Sequence, residues 1–180
     1  MFYETFLYLC SVEILIMKLY HGSNQIIRKP DLSKGRKFLV FGSGFYLSDE
    51  RRQAENRAKS AVLFFEEGQP TVSVFEWKKE QITNLNILHF PTANIEWLDF
   101  VLANRRGEVS ENKYDIVIGA TANDKVILVI DQYMAGQFDH LPNPKEFVIQ
   151  LFQPEKLATQ YLFSTAKSLQ YLHFTDSYTL

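Results

Sequence analysis

Short strand-like runs separated by helix-like segments constrain the fold of this chain more than any other feature of its sequence. Thr71 to Trp77 alternates apolar and polar side chains, and residues 114 to 119 form a short apolar run, as strands do. Before these strands, apolar residues recur at spacings of three and four, which predicts an amphipathic helix whose apolar face carries Ala54, Ala58, Ala61, Val62 and Phe65. Strands interleaved with a few helices predict an α+β domain.

The ends of these elements carry local signals of their own. A first strand is predicted over residues 18 to 20, followed from residue 22 to 41 by a loop rich in turn-forming residues. Ser48 or Asp49 is expected to cap the helix that follows, and Thr92 the next one. Further predicted elements are strands over residues 85–90, 160–164 and 171–174, a helical or mixed stretch over 125–135, and a helix starting at residues 143–144.

Composition predicts a folded, globular chain with one domain. Of its 180 residues, 46 % are hydrophobic and 14 % aromatic, which is enough for a core. The formal net charge of −2 lacks the basic excess that non-specific nucleic-acid binding requires, and the local basic clusters that contain Arg36 and Arg57 are interpreted as solvated faces or anion contacts. The single cysteine, Cys10, excludes a disulfide framework within the chain and fits a reducing cytoplasm. The four histidines show no metal-ligand spacing, so no metal site is expected.

The first 16 residues form an apolar segment that differs from the rest of the chain. They are too short to cross a bilayer, and they contain Glu4 and Glu13 but no signal-peptide cleavage site. No longer apolar run follows, so no membrane association is expected. Met17 opens a stretch typical of a protein start, so we interpret residues 1–16 as an extension from a misassigned start codon and residues 17–180 as a single domain. The alternative is a genuine extra helix or strand that packs on this domain.

Three short segments, far apart in the chain, carry the side chains with the most evident chemistry. In the first, Gly22 has no Cβ, so a planar group can approach its backbone N–H and C=O closely. The ring nitrogens of His21 can hold hydroxyl groups, and Ser23 adds a small donor. In the second, Gly42 and Gly44 clear space beside an aromatic pair.

That aromatic pair, Phe45 and Tyr46, offers a stacking face, and the third segment supplies an amide at Gln160 that can bond a sugar hydroxyl. Each feature taken alone is typical of an ordinary turn or strand end. Their order along the chain makes the set specific.

In this order, the segments resemble the motifs of a known superfamily. Residues 19–23 (LYHGS), 42–48 (GSGFYLS) and 159–163 (TQYLF) resemble the first, second and last motifs of the diphtheria-toxin and poly(ADP-ribose) polymerase branch of ADP-ribosyltransferases. Over residues 17 to 175 the chain more closely resembles a small bacterial family of this superfamily, the domain-of-unknown-function family numbered 3990. The stretches that carry this closer likeness are residues 96–101, 104–105, 114–119 and 122–125.

The resemblance implies an ADP-ribosyltransferase-like split β-sheet or sandwich with flanking helices, and NAD bound as a substrate in the cleft between its halves. It implies transfer of ADP-ribose from NAD to a protein or nucleic-acid acceptor, in a toxin-like setting with a small antitoxin as partner. Loss of nicotinamide passes through an oxocarbenium-like ribose, which a protein favours by orienting and hydrogen-bonding NAD. The implied catalytic residues are His21, Tyr46 and Gln160; the implied NAD-binding residues are His21, Gly22, Ser23, Gly44, Phe45 and Tyr46.

Gln160 separates this chain from the strongest catalysts of the branch, which carry glutamate at that position. Loss of the carboxylate costs on the order of 2–4 kcal/mol of transition-state stabilisation, so polymer synthesis is not expected. Single transfer, NAD hydrolysis, and binding of NAD or a partner without turnover all remain open.

Several charged and amide residues have two interpretations each. Asp115, Asn123 and Asp124 are interpreted as a strand-end turn or as an acceptor-positioning loop. Arg105 and Arg106 are interpreted as a helix C-terminus or as a pyrophosphate contact. Trp97 is expected in the core. The stacking aromatic expected in the helix after Tyr46 has no counterpart, and its weaker candidates are Phe38, Phe41 and Phe45.

Overall fold

The computed structural model describes residues 16–78, 84–109, 113–152 and 157–180. Over these residues the chain forms a seven-stranded mixed β-sheet with five α-helices, which confirms the predicted α+β class. The strands are β1 (Ile16–Ser23), β2 (Phe45–Ser48), β3 (Thr71–Lys78), β4 (Ile87–His89), β5 (Ile116–Ala120), β6 (Thr159–Phe163) and β7 (Leu172–Thr179). The helices are α1 (Arg51–Phe65), α2 (Ile95–Arg105), α3 (Asp124–Met134), α4 (Pro144–Phe152) and α5 (Ala166–Leu169), with a short 3-10 helix at Leu32–Lys34.

The sheet, in the order β4-β5-β6-β2-β1-β3-β7, is nearly divided between β1 and β2. In the three-strand group (β1, β3, β7), β1 pairs with β3 along its whole length and β3 pairs with β7. In the four-strand group (β2, β6, β5, β4), all neighbours are antiparallel except β4 and β5. A single registered pair, Tyr20 with Ser48, joins the two groups.

Side-chain packing holds the two groups together where backbone pairing does not. Successive residues of β5 and β6 belong to different core clusters, so these clusters lie on opposite faces of the sheet. One cluster contains the fully buried Trp97 and Ile130 from α2 and α3, which confirms the expected core position of Trp97. The other spans both strand groups, and in it the Trp77 ring packs edge-on against the rings of Tyr161 and Phe163.

Helix α1 packs against the three-strand group through small side chains. Ala54 and Ala58 are buried with Val72 of β3 in a third, smaller cluster. The sequence predicted that Phe65 would share this face, but its side chain is 51 % exposed. The buried residues of α1 are alanines, which we call the buried alanine strip, and their small side chains let the helix backbone lie close to the strands.

The predicted cap of α1 is wrong by one or two residues. Glu50, and not Ser48 or Asp49, occupies the N-cap, because the helix begins at Arg51. The Ser48 hydroxyl accepts a hydrogen bond from the Glu50 N–H and donates one to the Thr159 carbonyl, both at 3.1 Å. Ser48 therefore fastens β2 to β6 instead of starting the helix.

Helix α2 is capped by Asn94 and not by Thr92. The Asn94 side chain accepts a hydrogen bond from the Trp97 N–H at 2.9 Å, three residues on, as an N-cap does. Residues 125–135, for which the sequence left helix and mixed structure open, lie almost entirely within α3. None of the helices among the described residues is long and apolar enough to cross a membrane.

Strand β1 is longer than the predicted strand. It runs from Ile16 to Ser23, whereas the sequence predicted a strand over residues 18–20 and a loop from residue 22. Pairing with β3 keeps the chain extended after it has left β2. The predicted domain boundary at residue 17 falls one residue inside β1, and the rest of the interpreted extension, residues 1–15, lies outside the described residues.

Candidate functional site

A cleft of about 780 Å³ lies where the two strand groups part. Its lining comes from β1, β2 and β6, from helix α1, and from the segments around residues 29–40 and 121–127. All seven residues proposed from the sequence for catalysis or NAD binding line this cleft: His21, Gly22, Ser23, Gly44, Phe45, Tyr46 and Gln160. Folding therefore brings together three segments that are widely separated in the chain.

The ring of His21 bridges the parted strands. Its Nδ1 lies 2.7 Å from the carbonyl oxygen of Tyr46, at a place where β1 and β2 have no registered pair. Because a carbonyl oxygen only accepts, we assign the hydrogen to Nδ1. The ring also stacks on Phe45, with centroids 4.3 Å apart and an interplanar angle of 30°. The second nitrogen, Nε2, is then a hydrogen-bond acceptor.

His21 is uncharged at neutral pH. Its pKa is lowered to about 4, chiefly by burial and to a smaller extent by the positive charge of Arg57, while the hydrogen bond to the Tyr46 carbonyl acts in the opposite direction. A neutral ring with its hydrogen fixed on one nitrogen can receive a hydroxyl group from a ligand. It does not offer a positive charge.

The hydroxyl of Tyr46 is bound to the loop before β2. It donates to the Gly42 carbonyl oxygen at 2.6 Å and accepts from the Phe41 N–H at 3.0 Å. Burial raises the pKa of this phenol, so it stays protonated. The half-buried ring lines the cleft, as the sequence predicted, and its hydroxyl holds the loop in place.

Gly22 and Gly44 are required by packing. A Cβ on Gly22 would lie 1.9 Å from the Ala54 carbonyl oxygen and 2.7 Å from the Ala58 backbone nitrogen of α1. Gly44 has φ +155°, and a Cβ there would lie 2.7 Å from the Phe163 carbonyl oxygen. The sequence analysis explained Gly22 by the approach of a ligand and Gly44 by the space that it clears, whereas the structure gives each of them a close backbone neighbour within the protein.

Ser23 and Gln160 place polar groups at the cleft. The Ser23 hydroxyl donates to the Asn24 side-chain oxygen at 3.3 Å. Gln160 is in register with Ser48 on one side and with Gly119 on the other. Its side-chain nitrogen is buried and has no hydrogen-bond partner among the described residues. An unpaired buried amide costs about 1–3 kcal/mol, so an acceptor on a ligand would satisfy it.

Helix α1 contributes two polar side chains that the sequence analysis did not assign to the site. The Gln53 amide donates to the Thr121 hydroxyl at 2.6 Å, and both residues line the cleft. Arg57 lines it as well, with Arg36 from the preceding loop. The signal was present in the helix periodicity, because Gln53 and Arg57 border the buried alanine strip.

Other residues considered in the sequence analysis lie elsewhere. Phe41 is fully buried against the rings of Phe90 and Phe100, so it offers no stacking face. The Asp115 carboxylate accepts hydrogen bonds from the Asn86 N–H at 2.8 Å and from the Thr165 hydroxyl at 2.6 Å, which supports the turn interpretation.

Two helix ends account for most of the remaining candidates. Asn123 caps α3, and Asp124 follows it in the first turn and lines the cleft. Arg106 is the C-cap of α2, while Arg105 lines the cleft and forms an ion pair with Asp131 at 2.6 Å. No group of three or more His, Cys, Asp or Glu residues that could hold a metal ion occurs in the described part of the chain.

One family model matches the chain, that of "Protein of unknown function (DUF3990)", over residues 17–174. The match covers β1 to the start of β7 and contains every residue of the cleft named above. Comparisons with curated proteins and with solved structures found no match.

Proposed function

The chain belongs to the DUF3990 family, and from the geometry of its cleft we propose that it binds NAD and transfers the ADP-ribosyl group to a macromolecular acceptor. The observation that carries this proposal is the meeting of His21, Tyr46 and Gln160 in one cleft. These residues come from three segments that resemble the ordered motifs of ADP-ribosyltransferases. A cleft of about 780 Å³ is within the size range of small-molecule and cofactor sites.

Each side chain has a role that follows from its contacts. The free Nε2 of His21 accepts a hydrogen bond from a ribose hydroxyl. The edge of β1 from His21 to Ser23 has no registered partner on β2, so the backbone of Gly22 can pair with the nicotinamide carboxamide. The unpartnered Gln160 amide donates to a ribose oxygen.

The reaction itself needs orientation more than covalent chemistry. The bond between ribose C1′ and the nicotinamide nitrogen breaks, and its electron pair leaves with the ring, which becomes neutral. A lone pair of the acceptor then forms a bond to C1′, and the acceptor loses its proton to solvent. Because the ribose carries positive charge in the transition state, hydrogen bonds that hold it in one orientation lower the barrier.

The proposal extends to the fold and the setting. We propose that the sheet is an ADP-ribosyltransferase-like split sheet. The support for this is that only one registered residue pair joins β1 to β2. We further propose a toxin-like role in the cytoplasm, with a small antitoxin as partner, which rests on the sequence resemblance and on the single cysteine.

The test is incubation of the purified chain with NAD and a bacterial lysate. Nicotinamide release is followed by chromatography, and ADP-ribose adducts are followed by mass spectrometry. We expect adducts with the wild type and none above background with His21→Ala or Tyr46→Ala, while His173→Ala on the edge strand β7 retains activity. Free ADP-ribose as the sole product would identify an NAD glycohydrolase instead.

A second candidate, NAD or partner binding without turnover, is favoured by the amide at position 160. Calorimetry that shows NAD binding without nicotinamide release would support it. Gln160→Glu separates the two candidates, because a carboxylate stabilises the developing charge and should raise the rate of nicotinamide release about tenfold or more if the cleft is catalytic. Gln132→Glu on α3, which is absent from the cleft lining, is the matched control.

A further inference from the structure

We propose that Arg57 and Arg36 form an anion site that binds the diphosphate of NAD. This inference rests on the proposed function and assigns part of the same cleft to a specific group of the substrate.

The first argument is the position of Arg57 on helix α1. A Cβ on Gly22 would contact the backbones of Ala54 and Ala58, so this turn of α1 lies directly against the His21–Ser23 edge of β1. Arg57 belongs to that turn and lines the cleft. A group held by Arg57 therefore lies close to one held by His21, as the diphosphate of NAD lies one ribose away from nicotinamide.

The second argument is the unbalanced charge of the two guanidinium groups. Arg57 forms no ion pair among the described residues. Partial burial and the positive charge of Arg36 lower the pKa of Arg57. The negative charge of Asp124 raises it, but Asp124 forms no ion pair with Arg57. Two arginines whose charges repel one another, and neither of which forms an ion pair among the described residues, are suited to an anion.

The third argument is the support of Arg36. Its guanidinium lies over the Phe64 ring, 5.0 Å from the centroid, on the last turn of α1. This contact holds Arg36 beside the helix that carries Arg57. Arg105 also lines the cleft, but its guanidinium already binds Asp131, so we do not assign it to the anion.

The local charge differs from that of the whole chain. The cleft is lined by five basic and three acidic side chains, whereas the chain carries a formal net charge of −2. Guanidinium groups present paired donors that match phosphate oxygens, and their hydrogen bonds to anions are stronger than neutral ones. A diphosphate offers such oxygens to both arginines at once.

The experiment is calorimetric titration of the full chain with four separate ligands: NAD, ADP-ribose, nicotinamide riboside and inorganic pyrophosphate. We compare the wild type with Arg57→Gln, Arg36→Gln and the control Arg52→Gln, which alters an exposed arginine of the same helix outside the cleft. Thermal unfolding checks that each variant is folded.

We expect Arg57→Gln to lower the affinity of the chain for NAD, ADP-ribose and pyrophosphate about tenfold or more, because a charged hydrogen bond is lost. Arg36→Gln should lower the affinity for the same three ligands. Neither change should alter the affinity for nicotinamide riboside, which lacks the diphosphate. Arg52→Gln should bind all four ligands as the wild type does.

The outcomes separate this inference from the proposed function. If Arg57→Gln binds pyrophosphate and ADP-ribose as the wild type does, or if the wild type binds neither, the anion site is refuted. If pyrophosphate and ADP-ribose need Arg57 but NAD does not bind, the anion site stands and the proposed function fails. A fifth titration uses a phosphorylated RNA oligonucleotide, and Arg57-dependent binding of this RNA without ADP-ribose binding would overturn the assignment to a dinucleotide.

Discussion

The imidazole of His21 is held on two sides, by the Tyr46 carbonyl and by the Phe45 ring. These contacts leave a single orientation in which Nε2 remains available to a ligand. They also make the ring sensitive to acid, because a proton on Nε2 would place a positive charge in a buried position near Arg57. Binding geometry and acid stability therefore depend on the same group.

Acid should destabilise the folded chain through His21. Its pKa falls from 6.5 to about 4 on folding, so the unfolded chain binds this proton more readily. The contribution to stability is complete above pH 6.5 and is lost as the pH falls from there towards about 4. Between about pH 7 and pH 5, urea unfolding should show an extra loss of up to about 2 kcal/mol in the wild type compared with His21→Gln.

The matched control for this measurement is His140→Gln, which removes an exposed histidine after α3. It should keep the acid dependence of the wild type. An acid dependence that is the same with and without His21 would contradict the burial argument.

Tyr46→Phe should destabilise the chain and weaken NAD binding although the ring is kept. The change leaves the Phe41 N–H and the Gly42 carbonyl without their hydroxyl partner, at a cost of about 1–3 kcal/mol. Chemical denaturation measures the cost, and calorimetry measures NAD affinity. The control is Tyr171→Phe, because the hydroxyl of Tyr171 has no partner within the described residues; this change should alter neither the stability nor the NAD affinity. Equal effects of the two substitutions would show that the loop does not depend on the Tyr46 hydroxyl.

At the scale of secondary-structure elements, the sequence predicted most strands and helices because their signals are local. The alternation in β3 and the apolar run of β5 need no distant contact to be recognised. The cap of α1 was misplaced because Ser48 bonds to β6 and the helix begins after Glu50, which makes no side-chain cap hydrogen bond; the cap of α2 was misplaced because Asn94 can cap a helix as well as Thr92 can. The partner of the Ser48 hydroxyl, Thr159, lies 111 residues away in sequence.

The residues of the candidate cleft were predicted only in part, because some of them depend on contacts between distant segments. His21, Tyr46 and Gln160 were found by the order of their motifs, and the fold brings them to one cleft. Arg57 was not assigned to the site, because its position at the cleft comes from the close approach of α1 to β1. That approach depends on alanines facing a glycine in another element, a pairing that no single segment reveals.

Gly22→Ala should separate α1 from β1. Its Cβ would lie 1.9 Å from a backbone oxygen of α1, so the helix must move, at a cost of about 1–3 kcal/mol or more. Chemical denaturation of this variant is compared with Gly35→Ala, where φ is −65° and the nearest atom would lie 3.2 Å from the new Cβ. A loss of stability no larger than that of Gly35→Ala would show that α1 does not pack closely on Gly22.

At the scale of the whole molecule, the two strand groups share one registered pair and an aromatic core. The cleft is lined by His21 and Gly22 from one group and by Tyr46 and Gln160 from the other. A ligand in the cleft therefore contacts both groups at once. Binding at this position should couple them, because the ligand supplies contacts where the backbone supplies almost none.

NAD should therefore protect the parted strands from hydrogen exchange more than it protects the rest of the sheet. We expect slower amide exchange at residues 21–23 and 45–47 with NAD present, and little change in β7 at the sheet edge. At an NAD concentration one hundred times Kd, the whole chain should also gain about 2.7 kcal/mol of stability. His21→Ala should lose both effects. Protection spread evenly over both groups, or confined to one of them, would contradict binding across the division, because a ligand that touches both sides must order both edges.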